Sequence, residues 1–118
     1  HIGHYTTEID LSWLESEYPL EVYRTLIISG DRDLVSEDIK ELKSKYRAVA
    51  GDWESGAIAH IAVRNKTRLL ILRGVSDLVG ENGGEAYGNP TVFEENTAKI
   101  IRKLVKSLPQ WIMISNVY

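Results

Sequence analysis

The order of apolar and polar positions along the chain alternates between a pattern typical of strands and one typical of helices. The stretch EVYRTLIISG, residues 21–30, is rich in β-branched residues and is punctuated by Gly30, which predicts a strand near 22–29. A short strand is predicted near 47–50. The apolar run in RLLILRGV predicts a third strand near 68–75, buried on both faces because its residues do not alternate.

Three further segments carry apolar residues at helical spacing. We predict helices near 36–46, 54–65 and 91–107. Ser36 is a candidate N-cap for the first helix, and Pro109 ends the last one. Their apolar faces are formed by Ile39, Leu42 and Tyr46, by Ala57, Ile58, Ile61 and Ala62, and by Val92, Phe93, Ile100, Ile101, Leu104, Val105 and Leu108.

The predicted elements follow one another as strand, helix, strand, helix, strand, helix. This alternation predicts an α/β fold with a mainly parallel sheet and helices on both faces. Residues 1–118 contain no internal repeat and no interdomain linker, so we predict a single domain.

Composition narrows the classes of partner. The chain has 118 residues, a formal net charge of −3 and no cysteine. Because no basic stripe or long apolar run is present, we expect neither a nucleic-acid nor a membrane partner. The absence of cysteine fits a cytoplasmic location, and we expect no metal and no cofactor. The chain opens on His1 rather than on methionine, which predicts a fragment or a processed chain.

Acidic residues follow each predicted strand. Asp31 and Asp33 follow the first, Asp52 and Glu54 the second, and Asp77 the third. Adjacent parallel strands would bring these acids to one edge of the sheet, where open α/β folds bind ligands. Each acid also has a structural explanation, either as a turn former or at the start of a helix. The pattern alone therefore predicts a polar ligand pocket.

Three motifs carry a resemblance to a known family. LIISGD, GDWESGAIAHIA and LLILRGVSD resemble, in order and spacing, motifs of the nucleoside phosphorylase/nucleosidase superfamily, in particular its 5′-methylthioadenosine/S-adenosylhomocysteine nucleosidases. The resemblance covers about residues 21–108. It implies a phosphorylase/hydrolase-like fold, a purine nucleoside as the small-molecule partner, and hydrolysis of the N-glycosidic bond with release of the free base.

The resemblance also implies roles for individual residues. Asp77 donates a proton to N7 of the leaving base, and Ser76 orients Asp77. Glu54 accepts hydrogen bonds from the ribose hydroxyls and favours the cation-like sugar of the transition state, while Trp53 lines the ribose pocket. Arg73 supports the architecture by pairing with a nearby acid.

The sequence departs from the family pattern in two ways. Where adenine-specific members place an aromatic residue that stacks on the base, this chain has Arg32, Asp33 and Leu34, so Asp33 is expected to hydrogen-bond a base edge instead. The family domain is also about twice as long as this chain. The chain resembles its carboxyl-terminal half, and the carboxylate that activates water belongs to the other half. Because members of the family are commonly dimers or larger and a half-domain has an open sheet edge, a homo-oligomer or a complementing chain is expected.

Two alternatives to a nucleosidase stay open at this point. A phosphorylase of the same superfamily would use phosphate as the nucleophile, and the half that binds the nucleophile is not represented in the motifs. A non-catalytic module would bind nucleosides, or another protein, without breaking a bond.

Overall fold

The structure, a computed structural model, describes residues 6–14, 17–86 and 88–115. Its elements have an α/β character. They are β1 (Ile27–Ser29), α1 (Ser36–Tyr46), β2 (Ala50–Asp52), α2 (Ser55–Arg64), β3 (Val79–Gly80), β4 (Gly83–Gly84) and α3 (Pro90–Ile114).

A parallel pair of strands, β1 and β2, forms the first part of the fold. Ile27 lies opposite Ala50, and Ser29 lies opposite Asp52. The Gly30 amide then donates to the Asp52 carbonyl at 3.1 Å, which extends the pairing by one residue. This register brings the carboxyl ends of both strands, and the side chains of Ser29 and Asp52, to the same edge.

The third predicted strand, near 68–75, does not form. A strand requires backbone hydrogen bonds to a neighbouring strand, and within the described residues β1 and β2 pair only with each other. The apolar run 69–72 is half-buried all the same. At Gly74 the segment runs so close to α3 that a Cβ atom there would lie 1.8 Å from Cγ2 of Ile100. The mainly parallel sheet with helices on both faces is therefore not confirmed in the part of the chain that the structure describes.

Helix α1 occupies the predicted range, 36–46, and buries Ile39 as its apolar spacing requires. The N-cap position is Val35 rather than Ser36, and no side chain caps the helix. Glu37 and Asp38 lie in the first turn, where the partial positive charge of the helix N-terminus favours carboxylates.

Helix α2 packs against β1 and matches its predicted range to within one residue at each end. Close approach depends on Gly56, because a Cβ atom at this position would lie 3.1 Å from the Ser29 Cβ. Ala59 is buried, but Ile58 and Ile61 are 46% and 59% exposed, although both belong to the predicted apolar face. The burial of this face is thus incomplete.

Helix α3 continues through Pro109, where the sequence predicts its end. Proline lacks the N–H that would complete the helical hydrogen bond and usually interrupts a helix. Here the following turn is held by Trp111, which is 4% exposed and whose ring lies 5.5 Å from that of Tyr18. The apolar surface of the buried ring favours this turn, although its indole N–H has no hydrogen-bond partner among the described residues. In the described residues, neither α3 nor another helix is long and apolar enough to cross a bilayer.

The glycine-rich segment before α3 contains a short hairpin that the sequence pattern does not predict. Strands β3 and β4 pair in antiparallel register, with Val79 opposite Gly84, and β3 packs against α1. Gly83 has a φ of +123°, a conformation that side chains other than glycine rarely adopt. Asn89 then caps α3 by accepting a hydrogen bond from the Val92 amide, as its place before Pro90 predicts.

Candidate functional site

Asp52, the last residue of β2, accepts hydrogen bonds from two neighbouring elements. The hydroxyl of Ser29, at the end of β1, donates to its Oδ1 at 2.7 Å. The Ser55 amide, at the start of α2, donates to the same oxygen at 3.1 Å, and the Ser55 hydroxyl donates to Oδ2. The Ser29 oxygen in turn accepts from the Gly56 amide at 2.8 Å. One carboxylate therefore joins both strand ends to the first turn of α2, although the N-cap position of this helix is Glu54 and not Asp52.

Arg73 connects this carboxylate to the segment that follows the apolar run. Its Nε lies 2.8 Å from Oδ2 of Asp52 and 3.2 Å from Oγ of Ser55. Its Nη2 lies 3.2 Å from Oε2 of Glu54. The expected pairing of Arg73 with a nearby acid is confirmed, and Arg73 pairs with two acids, Asp52 and Glu54.

The surroundings of Asp52 favour its charged form. Partial burial raises the pKa of the Asp52 carboxyl. Hydrogen bonds from Ser55 and Ser29 and the charge of Arg73 lower this pKa, and their combined effect is larger than that of burial. The net result is a pKa below the ordinary value for aspartate. Asp52 is therefore a carboxylate at neutral pH and acts only as an acceptor.

This lowered pKa makes the stability of the fold depend on acid. A carboxyl whose pKa is lower in the folded state stabilises the fold fully above its unfolded pKa, about 3.9. That stabilisation is lost as the pH falls through the still lower folded pKa. We expect the free energy of unfolding of the wild type to exceed that of Asp52→Asn between pH 5 and 7, and the difference to shrink below about pH 4.

Urea unfolding at a series of pH values measures this difference. Glu41→Gln is the matched control, because Glu41 is an exposed carboxylate whose Lys45 partner lies one helical turn away on the surface. If the free energy of unfolding of the wild type exceeded that of Asp52→Asn by the same amount at pH 3 as at pH 6, Asp52 would not be the pH-sensitive group.

The residues with predicted substrate roles follow β1, β2 and the apolar run 69–72. Trp53 and Glu54 follow β2 and are exposed, and Asp33 is exposed between β1 and α1. Ser76 and Asp77 are half-buried after the apolar run, and the Ser76 hydroxyl donates to Oδ1 of Asp77 at 3.0 Å. This bond fits the predicted orienting role of Ser76. That Glu54, Ser76 and Asp77 line one cavity, with Trp53 beside them and Asp33 at its rim, stays a prediction.

A groove lies between the segment that contains Arg73 and the apolar face of α3. Its volume is about 190 Å³, which is below the ~300 Å³ at which small-molecule sites usually begin. Ser76 is among its lining residues, whereas the other four predicted substrate residues are not. The lining is formed by Leu72, Arg73, Gly74, Ser76, Phe93, Thr97, Ile100, Ile101 and Leu104.

Sequence reasoning missed the part played by two serines. Ser29 and Ser55 hold the Asp52 carboxylate, yet neither is singled out by periodicity or by charge. The available signal is their position, since each lies next to a strand end already marked by an acid. Among the described residues, no group of three or more His, Asp or Glu side chains is placed to hold a metal ion.

Known proteins similar to this chain are 5′-methylthioadenosine/S-adenosylhomocysteine nucleosidases. The protein of that name from Buchnera aphidicola subsp. Acyrthosiphon pisum (strain APS) is 34% identical over 93 residues, which is 76% of this chain and 37% of the relative. The proteins from strains Tuc7 and 5A are 28% identical over 95 residues, covering 78% of this chain and 41% of each relative. No family model matches the chain, and no solved structure matches it.

The similarity is therefore partial. The chain spans about two fifths of the length of the curated relatives it matches, and the shared part is their carboxyl-terminal portion. Over the aligned residues, the chain is similar to nucleosidases at low sequence identity, in agreement with the family that its three motifs resemble.

Proposed function

We propose that this chain forms the base- and ribose-binding part of a purine nucleosidase, which hydrolyses the N-glycosidic bond of a nucleoside such as methylthioadenosine or S-adenosylhomocysteine. The observation that carries the proposal is the partial similarity to nucleosidases, which agrees with three ordered motifs that each contain an acid. The domain is of the phosphorylase/hydrolase-like α/β class, and its parallel sheet is completed outside this chain.

In this proposal the two acids divide the chemistry. Asp77 delivers a proton to N7, so that the purine leaves as a neutral base. The Ser76 hydroxyl holds one of its oxygens, which supports a fixed orientation for the other. Glu54 accepts hydrogen bonds from the ribose hydroxyls and offsets the positive charge that develops on the sugar. Trp53 lies next to Glu54 in sequence and is 59% exposed, so its ring is available to line the ribose pocket.

The base is contacted from the end of β1. Asp33 is exposed there and accepts a hydrogen bond from a purine edge in place of an aromatic stack. An acceptor discriminates between purines by their exocyclic groups, because a base without a matching donor leaves the carboxylate unpaired.

The surface of the chain supports a partner that completes the domain. Only four apolar residues are buried in the described part of the chain, namely Ile39, Ala48, Ala59 and Trp111. Large apolar side chains are exposed along α2 and α3 and near the strand ends, including Val49, Ile58, Ile61, Ile101, Val105, Leu108 and Ile112. Exposed apolar surface of this extent marks contact with further protein. We propose that the amino-terminal part of the domain, on the same polypeptide or on a complementing chain, covers it and supplies the group that activates water.

Release of free base tests the function. The protein to be assayed is this chain together with the amino-terminal part of the domain, referred to below as the completed protein. We expect it to release free purine from methylthioadenosine or S-adenosylhomocysteine in buffer without phosphate. Release that requires phosphate would assign a phosphorylase instead. Nucleoside binding without release of base would assign a non-catalytic module.

A further inference from the structure

Glu54 has little support of its own. Its side chain is 58% exposed, and although Glu54 occupies the N-cap position of α2, this side chain makes no capping hydrogen bond. The contact that restrains it is the one from Nη2 of Arg73, at 3.2 Å. An exposed ion pair between two long side chains holds its geometry weakly. The position of the Glu54 carboxylate thus depends on how firmly Arg73 is held.

Arg73 is held at its other edge. Its Nε contacts the Asp52 carboxylate at 2.8 Å, and the Asp52 side chain is only 14% exposed. Asp52 is itself fixed by the hydroxyls of Ser29 and Ser55. Because the guanidinium is a rigid plane, fixing Nε also fixes the direction in which Nη2 points. Arg73 therefore links the well-bonded carboxylate of Asp52 to the exposed carboxylate of Glu54.

We propose that Asp52 is a positioning residue that acts through Arg73 to hold Glu54 in the orientation that accepts hydrogen bonds from the ribose hydroxyls. This inference rests on the proposed nucleosidase function. Asp52 need not touch the nucleoside. Its two oxygens are already occupied by Ser29, Ser55 and Arg73, so its effect on a substrate passes through the guanidinium.

Asp52→Asn in the completed protein tests the proposal. The amide keeps the shape of the side chain but has no charge and one acceptor oxygen instead of two. We compare kcat/KM for a ribonucleoside with kcat/KM for its 2′,3′-dideoxy analogue, which lacks both hydroxyls that Glu54 would contact. The ratio between the two substrates is expected to fall about 10-fold in Asp52→Asn, because a charge-assisted bond to the ribose is weakened. A purely structural role of Asp52 would lower kcat/KM equally for both substrates and leave the ratio unchanged.

A second measurement, which does not depend on enzymatic activity, tests how firmly the Arg73 side chain is held. In nuclear magnetic resonance spectra of the completed protein, the Arg73 Nε–H is expected to exchange slowly with water in the wild type and rapidly in Asp52→Asn. Glu41→Gln, the same change on the exposed surface of α1, should alter neither the exchange nor the substrate ratio.

The outcomes separate the two proposals. An unchanged ratio, or an Arg73 Nε–H that stays protected in Asp52→Asn, overturns the positioning role while the nucleosidase stands. A wild-type protein that releases no base overturns the nucleosidase function, and this inference with it, before any variant is compared.

Discussion

Asp77→Asn is expected to lower the rate of base release from the completed protein by about 10²- to 10⁴-fold, the contribution of a positioned general acid. The amide has nearly the same shape as the carboxylic acid and still accepts the hydrogen bond from Ser76, so the fold should be preserved. It has no acidic proton to give to N7. Single-turnover release of purine, followed by ultraviolet absorbance, measures the loss.

Comparison with Glu54→Gln distinguishes the two acids. Asp77→Asn should reduce turnover much more than nucleoside binding, because the ribose contacts of Glu54 remain. Glu54→Gln should weaken both, because it removes the charged acceptor of the ribose hydroxyls. Near-normal base release by Asp77→Asn would leave Asp77 as a turn residue after the apolar run and would remove the proton donor from the proposed mechanism.

Gly74→Ala should destabilise the chain by about 2 kcal/mol or more. The added Cβ would lie 1.8 Å from Cγ2 of Ile100, which is far inside van der Waals contact. To relieve the overlap, α3 must move away from the segment that carries Arg73, Ser76 and Asp77. The shift of the urea midpoint, followed by tryptophan fluorescence, measures the cost.

Two controls isolate the contact. Gly30→Ala adds the same methyl group where no atom lies within 4 Å, so its stability should equal or slightly exceed that of the wild type. Ile100→Ala removes the atom that the new Cβ would meet, so Gly74→Ala should cost less in that background than alone. Equal costs in both backgrounds would mean that the substitution does not act through Ile100.

The elements that the sequence predicts well are those whose signals are local. Helix α1 combines an apolar stripe with acids in its first turn, and its observed range is the predicted one. Helix α2 is almost as well defined. In both helices the hydrogen bonds close within the segment, so that the pattern of the segment is enough to specify them.

Elements whose partners lie elsewhere were harder to predict. The apolar run before Arg73 indicates burial, and the run is half-buried, but burial does not supply a neighbouring strand. Pro109 is a strong local signal for the end of a helix, yet α3 continues through it, and Trp111 in the following turn is buried against Tyr18, which lies far away in the sequence. Strands β3 and β4 have two residues each, too short to show alternation. In each case the deciding interaction is absent from the segment itself.

In the candidate site, too, some features could be predicted from local sequence and others depend on contacts between distant segments. The acids were visible because charges after apolar runs are conspicuous, and the pairing of Arg73 with an acid was implied by the family resemblance. That Asp52 is the centre of the contacts follows only from the parallel register of β1 and β2, which brings Ser29 to its side. The convergence of Asp33 and Asp77 on a single nucleoside remains a prediction from the resemblance.

The tilted ring contact between Tyr18 and Trp111 has a consequence for the entropy of the chain. About 90 positions separate the two rings, so their contact closes a long loop of the chain, at a cost that grows only with the logarithm of its length. The last turns of α3 are therefore in contact with a residue that lies about 90 positions earlier in the chain. A chain trimmed to begin after Tyr18 is expected to hold those turns less firmly, even though the trimming removes none of their residues.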